Sequence, residues 1–207
     1  MLNGEPLMTM KMQTNVRGGR SGFSLVELLV VIAILAVLTG LVSQIGGSVF
    51  GKASRSKAQS EMAAMRTGLE NYRADNSSFP RGQMSDALDP RASQDPRTAA
   101  YIGAAAELYA ALSGRSQSGS AAQDTKAYMA FKADQTGRAG GLTYLRDPWG
   151  NAYGYSTARA QWMQTELSAG RRPVEGDASP GYGADYDLWS TAKGTTGADV
   201  AKWVKTW

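Results

Sequence analysis

The sequence contains no cysteine and no histidine. Without cysteine there is no disulfide, no iron–sulfur cluster and no thiol nucleophile. Without histidine the commonest general base and the commonest zinc ligand are gone, and a Ser–His–Asp triad is excluded. An enzyme built on this chain would have to work with carboxylates, lysine or tyrosine alone. The formal charge of +4, from 22 basic and 18 acidic residues, is too mild to argue for a nucleic-acid partner. Charged residues make up only 19% of the chain and hydrophobic ones 43%, which does not suit a disordered protein. A length of 207 residues suits one globular domain and one extra element.

What is present is strongly localised. Phe23 to Val42 is an apolar run with one charge, Glu27, and only Ser24, Thr39 and Gly40 otherwise non-apolar. About 20 helical residues span the ~30 Å hydrocarbon core of a bilayer. Lys11, Arg17 and Arg20 precede the run against a single acid, Glu5. A cationic flank stays on the cytoplasmic side, so the chain is expected to be single-pass with its C-terminal part outside. The run exceeds the roughly 7–15 apolar residues of a secretory signal peptide. A plain signal anchor explains the length and the flank but not Glu27. A carboxylate in a membrane helix costs about 2.5–3.5 kcal/mol on insertion scales, so it marks a function and needs a partner.

Arg20-Ser21-Gly22-Phe23-Ser24-Leu25-Val26-Glu27-Leu28-Leu29 resembles the processing site of type IV prepilins and type II secretion pseudopilins. The resemblance implies that a prepilin peptidase cuts between Gly22 and Phe23 and methylates the new N-terminus. Glu27 then becomes the fifth mature residue. The family's Glu is thought to meet the N-terminal amine of a neighbouring subunit. In low dielectric, removing either partner of such a pair strands a charge. Phe23 and Glu27 are thus the expected assembly residues.

The fold class expected is α+β and pilin-like. A long N-terminal helix, a membrane half then an amphipathic half, packs on a small antiparallel β-sheet head. The expected divisions are a leader over 1–22, the helix over 23–76 and a periplasmic head over 77–207. Met62, Met65, Leu69 and Tyr72 recur at helical spacing and form one face. Lys52, Arg55, Lys57, Glu61, Arg66, Glu70 and Arg73 fill the rest. Gly40, Gly46, Gly47 and Gly51 interrupt the middle of the helix. They suit either close helix packing or a breakpoint at the membrane surface.

Asn76 to Pro80 reads as a helix stop and turn. Residues 84–141 form a variable insertion. Within it, Asp95 caps and Pro96 opens a predicted helix with a stripe from Tyr101 to Leu112, ending before Gly114. Residues 113–123 are Ser/Gly/Gln-rich and expected to be mobile. Thr125 to Phe131 is ambiguous between strand and helix. The last third, 142–203, reads as β: Leu142–Leu145, the turn Asp147-Pro148-Trp149-Gly150-Asn151, then Tyr153 and Tyr155 on one face, then a strand over 185–190.

This tail is similar to that of the major pseudopilin of type II secretion, as is Asn76 to Pro80. That family closes its C-terminal region with Ca²⁺ in a loop after an Asp-Leu-aromatic-Ser strand. Here the corresponding loop runs from Ser190 to Asp199. Thr191 and Asp199 are the candidate ligands that the resemblance leaves, and Lys193 stands where a loop acid is expected. An ammonium repels Ca²⁺, which wants six to eight oxygens. Lys193 is expected instead to bridge to Asp199 or Asp187.

Other chemistry is weak. Ser54-Arg55-Ser56-Lys57 has the Ser-x-x-Lys spacing of penicillin-binding enzymes, but its companion motifs are absent. Asp185 and Asp187 mimic a carboxylate pair and read more simply as rim charges. Arg171-Arg172 is the one notable basic pair outside the helix.

The resemblance therefore implies a structural subunit and no catalytic residues. Its implied partners are further copies of itself, minor pseudopilins, the prepilin peptidase, an inner-membrane assembly platform with its ATPase, and the lipid bilayer. The expected location is the bacterial inner membrane, then a periplasmic filament that drives protein export. A type IV pilin for adhesion, motility or DNA uptake is the alternative, and a membrane-anchored periplasmic enzyme a third.

Overall fold

A computed structural model describes residues 22–92, 95–120, 125–174, 176, 179–194 and 196–207, without the side chains of 41–50, 197 and 198. The leader expected over 1–22 lies outside these residues except for Gly22. The chain divides into two units, Met1–Gly47 and Ser48–Trp207. One helix, α1 (Leu25–Asn76, 52 residues), begins in the first and ends in the second.

In the first unit every described residue, 22–40, is exposed. Among the described residues no helix is long and apolar enough to cross a membrane. The run expected to do so extends to positions 41 and 42, whose side chains lie outside the description. Of the glycines expected to interrupt α1, Gly40 and Gly51 lie in helix with open space around them. Gly46 and Gly47 lie outside the described side chains.

The second unit is α+β. The part of α1 within it buries Ala58, Met62, Met65 and Leu69. Their spacing of three and four residues puts them on one face, and that face meets Leu108, Tyr109 and Leu112 of α3 (Ala99–Ser113) in one core. Each buried Leu or Met contributes on the order of 1.5–3 kcal/mol. Tyr72 is half-buried and tilts onto Tyr128, with ring centroids 5.2 Å apart. Asn76 ends the helix, Ser77 takes a positive φ of 61°, and the chain turns into Phe79 and Pro80.

A short helix, α2 (Gln83–Ala87), precedes α3. The predicted start of α3 is corrected. The helix begins at Ala99 after Thr98, not at Pro96. The Asp95 carboxylate accepts from the Arg97 backbone N–H at 3.1 Å and pairs with its guanidinium at 2.9 Å, so it builds a local turn instead of a helix cap. Gly114, at φ 65°, closes α3 in the left-handed conformation that glycine adopts without a Cβ penalty.

Residues 125–131 resolve to neither of the two alternatives. They are irregular, and the N–H groups of Tyr128 and Met129 both donate to the Leu112 carbonyl at the end of α3, at 2.8 and 2.9 Å.

Two small antiparallel sheets follow. β1 (Thr136–Ala139) pairs with β2 (Leu142–Leu145) through a two-residue Gly140-Gly141 turn. Both glycines have positive φ, 56° and 78°, as a tight hairpin requires. The second sheet orders β3 (Gly154–Ser156), β4 (Asp187–Ser190) and β5 (Val204–Lys205), all antiparallel. Gly154 pairs with Trp189, whose indole lies where a Cβ would stand.

Tyr153 and Tyr155 join the core against α1, together with Leu145, Leu188 and Val204. A second cluster holds Leu88, Tyr101, Ala104, Ala105, Ala152, Trp189 and Trp203. The all-β reading of 142–203 is corrected by α4 (Ala158–Ser168) and a 3₁₀ turn over Gly197–Lys202. Helix α4 buries only Ala158 and Arg159, so no apolar stripe announces it.

Candidate processing and assembly site

The first described residues are Gly22, Phe23 and Ser24, which precede the helix. The Ser24 carbonyl accepts from the Leu28 N–H at 3.1 Å and so opens the hydrogen-bond ladder of α1. Ser24 thereby takes the N-cap position. Glu27 follows three residues later, in the first turn. Ser-x-x-Glu is the spacing of a capping box, a helix-start signal that the sequence reading passed over. A carboxylate in a first turn also faces the positive end of the helix dipole, worth about 0.3–1 kcal/mol.

Phe23 is 75% exposed and a Cβ built on Gly22 would meet nothing within 4 Å, so among the described residues nothing crowds the peptide bond between them. Beyond it, Leu25 is 79% exposed and Leu38 still 52%. Every large apolar residue named between them is exposed, on all sides of the helix. A helix apolar all round belongs in lipid or inside an assembly, and a patch of this extent marks an interaction surface. Thr39 returns its hydroxyl to the Leu35 carbonyl at 2.7 Å, so even this polar group is satisfied within the helix.

The second candidate region is the loop after β4. Asp147, 2% exposed, anchors it from below. One carboxylate oxygen accepts from the N–H groups of Trp149 and Asn151 at 3.0 and 2.8 Å, and the other from the Ser190 hydroxyl. Burial pushes its pKa up to about 6, against those hydrogen bonds, which favour the charged form. Burial raises Asp187 as well, although the N–H groups of Tyr182 and Gly183 hold its carboxylate at 2.9 and 2.6 Å.

Thr191 is fully buried, and its carbonyl accepts from the Gly194 N–H at 2.8 Å. The Asp199 carboxylate takes the Lys202 ammonium at 2.8 Å on one oxygen and the Thr196 hydroxyl at 2.8 Å on the other. Lys193 is exposed, and the cation on Asp199 is Lys202. Asp187, the other acid expected to meet Lys193, is satisfied by backbone. Thr191 and Asp199 thus lie on one loop, but the described ligands fall short of the six oxygens that Ca²⁺ needs, and the Lys202 ammonium stands on the Asp199 carboxylate. Among the described residues no cluster of three or more acids could hold a metal.

The remaining candidates separate. Lys57 donates to Asp134 at 2.6 Å, away from any Ser54 chemistry. Asp185 is exposed and precedes β4, whereas Asp187 is buried within it, so the two do not face one another. Arg171 pairs with Glu166 at 2.6 Å. Glu61, which falls outside the apolar stripe of α1, is nevertheless only 8% exposed and accepts the Tyr153 hydroxyl at 2.7 Å.

The family model for the prokaryotic N-terminal methylation motif matches residues 17–43, which contain Gly22, Phe23 and Glu27. At its N-terminus the chain is similar to prepilins. It is 38% identical over 84 residues to the type II secretion system core protein G of Aeromonas hydrophila, covering 38% of the chain and 57% of that relative. It is 34% identical over 88 residues to the protein of the same name from Klebsiella michiganensis, covering 41% and 61%. With that of Klebsiella pneumoniae it shares 37% over 83 residues, covering 39% and 58%. The matches thus span less than two thirds of these relatives. No solved structure matches the chain.

Proposed function

We propose that this prepilin-like chain is a non-enzymatic structural subunit of a type II secretion pseudopilus. The carrying observation is Glu27, in the first turn of an exposed, otherwise apolar helix that begins at Leu25, two residues after Phe23. Cleavage at that bond creates an α-amino cation at Phe23. A carboxylate four residues on is the natural partner for such a cation in a neighbouring copy. The pair sets the axial register of stacked subunits, because a mismatch would leave a charge buried and unpaired.

In this reading the helix first anchors the subunit in the inner membrane, with the head in the periplasm, and then becomes the core of the filament. A prepilin peptidase processes the leader. Copies of the chain and minor pseudopilins build the filament on an inner-membrane platform driven by an ATPase, and its growth exports protein. The relatives' shared name supports the secretion system over an adhesive pilus.

N-terminal mass spectrometry of the protein from its native membrane tests the reading. A chain beginning at N-methylated Phe23 is the expected result. An intact N-terminus in the presence of the peptidase would overturn it. Deletion then separates the two filament classes. Loss of protein secretion is expected, whereas loss of piliation or transformation with secretion intact would point to a type IV pilin.

A further inference from the structure

The resemblance places Ca²⁺ at the loop after β4, and the described residues do not supply its ligands. We infer that two internal cations, Arg55 and Lys202, take the ion's place, so that the C-terminal loop of this head closes without calcium.

The oxygens of this region already have protein donors. The Thr191 carbonyl accepts from Gly194, and the Ala192 carbonyl from the side-chain amide of Asn151. Both oxygens of Asp199 are engaged, by Lys202 and Thr196. At the end of the 3₁₀ turn the Arg55 guanidinium, reaching from α1, donates to the carbonyls of Lys202 at 2.9 Å and Trp203 at 3.2 Å. A planar guanidinium delivers several donors in a fixed fork, so it holds two carbonyls at once in the way a metal ion would. A bound Ca²⁺ draws one carboxylate and several carbonyls to a single point. Here the same types of group are drawn to two points by two side chains. The difference has a consequence. A metal closes the loop on itself, whereas Arg55 ties its end to α1, across 148 positions of sequence. Lys202 then serves twice, its ammonium on Asp199 and its carbonyl on Arg55.

The test uses the full-length chain in detergent. Thermal unfolding is followed by the fluorescence of the five tryptophans, with chelator and with millimolar calcium. The expected midpoint is the same in both. A midpoint lowered by chelator, or raised by several degrees by calcium, would overturn the inference. The second arm is limited chymotrypsin digestion, read as the rate of cleavage after Trp203, which is buried while the loop is closed. Lys202→Met and Arg55→Gln should each speed that cleavage severalfold, with a larger effect together, and added calcium should not slow it. Wild-type cleavage rates in both variants would show that the two cations do not hold the loop, and would also overturn the inference. Arg55→Lys keeps the charge but loses the fork, and should recover only part of the protection.

Discussion

The Tyr153 hydroxyl donates to the Glu61 carboxylate at 2.7 Å, between β-region and helix, with both side chains buried. Gln135 adds a second donor at 3.3 Å, and the Lys57 ammonium lies 3.8 Å away on the same helix. The carboxylate is thus a hub where α1, the approach to β1 and the turn after β2 meet. Burial and the adjacent carboxylate both hold the Tyr153 phenol well above its ordinary range, so it stays a donor. Tyr153→Phe keeps the ring and removes that donor. A buried charged acceptor that loses a donor costs on the order of 1–3 kcal/mol. Urea unfolding of the full chain should show this loss, with an unchanged slope. A double variant with Glu61→Gln should lose less than the two single effects added together, because both remove the same bond.

Asp147 gives the head a pH dependence of unusual sign. Burial first, with Glu61 adding to it, pushes its carboxyl from the ordinary aspartate range up to about 6. A group raised in the fold takes up a proton more readily folded than unfolded. Its contribution is therefore full below about pH 4 and is lost as pH rises through 6. Asp187 shifts in the same direction for the same reason. Opposing this, Asp75, Asp95, Asp134 and Glu166 are lowered by their cationic partners, but these pairs are exposed and each contributes little. The head should be more stable at pH 5 than at pH 7, by on the order of 1 kcal/mol from Asp147. Asp147→Asn keeps an acceptor for the Trp149 and Asn151 N–H groups and should flatten the profile. Urea midpoints across pH 4.5–7.5 measure both. A midpoint in the wild type that rises steadily towards pH 7 would sink the assignment.

Glu107 caps a helix that is not its own. Its carboxylate, from α3, accepts from the Met84 and Ser85 N–H groups at 2.9 and 2.8 Å, the first turn of α2. Gly82 leaves the space for it, since a Cβ there would strike that carboxylate. Five residues do not make a helix stable alone, so α2 depends on this contact. Glu107→Ala should cost on the order of 1–2 kcal/mol, the range of a lost cap. Amide hydrogen exchange at Met84 and Ser85 should accelerate more than at the core of α3. Equal acceleration at both places would mean that the substitution loosens the fold globally.

What the sequence disclosed follows from periodicity and local chemistry. The stripe Met62, Met65 and Leu69 faces the core because helical spacing leaves it no other arrangement. The Asp147-Pro-Trp-Gly-Asn turn forms because its glycine takes φ 91° and its aspartate serves the turn's own N–H groups. The motif that holds Gly22, Phe23 and Glu27 was legible as such, and the N-terminal methylation model matches the same stretch. The rest depends on partners distant in sequence. Glu61 lies among charges that are solvated, and only the Tyr153 hydroxyl, 92 positions away, explains its burial. Lys193 looked like the cation for Asp199, yet Lys202 holds it, because the 3₁₀ turn brings position i+3 back onto position i. Helix α4 has no apolar face, so its pattern matched nothing. Arg55 gave no sign of reaching the chain's end.

Glu27 carries the sharpest functional prediction. An isolated charge in lipid is costly, so in the proposed assembly Glu27 destabilises the unpaired subunit in the membrane, and a pair with a neighbour's amine would relieve that cost. Glu27→Gln removes the charge while keeping nearly the same shape and helix start. Membrane insertion should be unchanged or improved, and processing at Gly22 should proceed, since the peptide bond there is as exposed as before. Filament formation should fall at least tenfold, the factor that loss of about 1.4 kcal/mol per added subunit produces, and secretion should fall with it. Mass spectrometry of the N-terminus, carbonate extraction of membranes and recovery of sheared filaments separate these steps. Filaments at wild-type levels from Glu27→Gln would remove the charge pair as the basis of assembly and leave the apolar surface of α1 as its sole driving force.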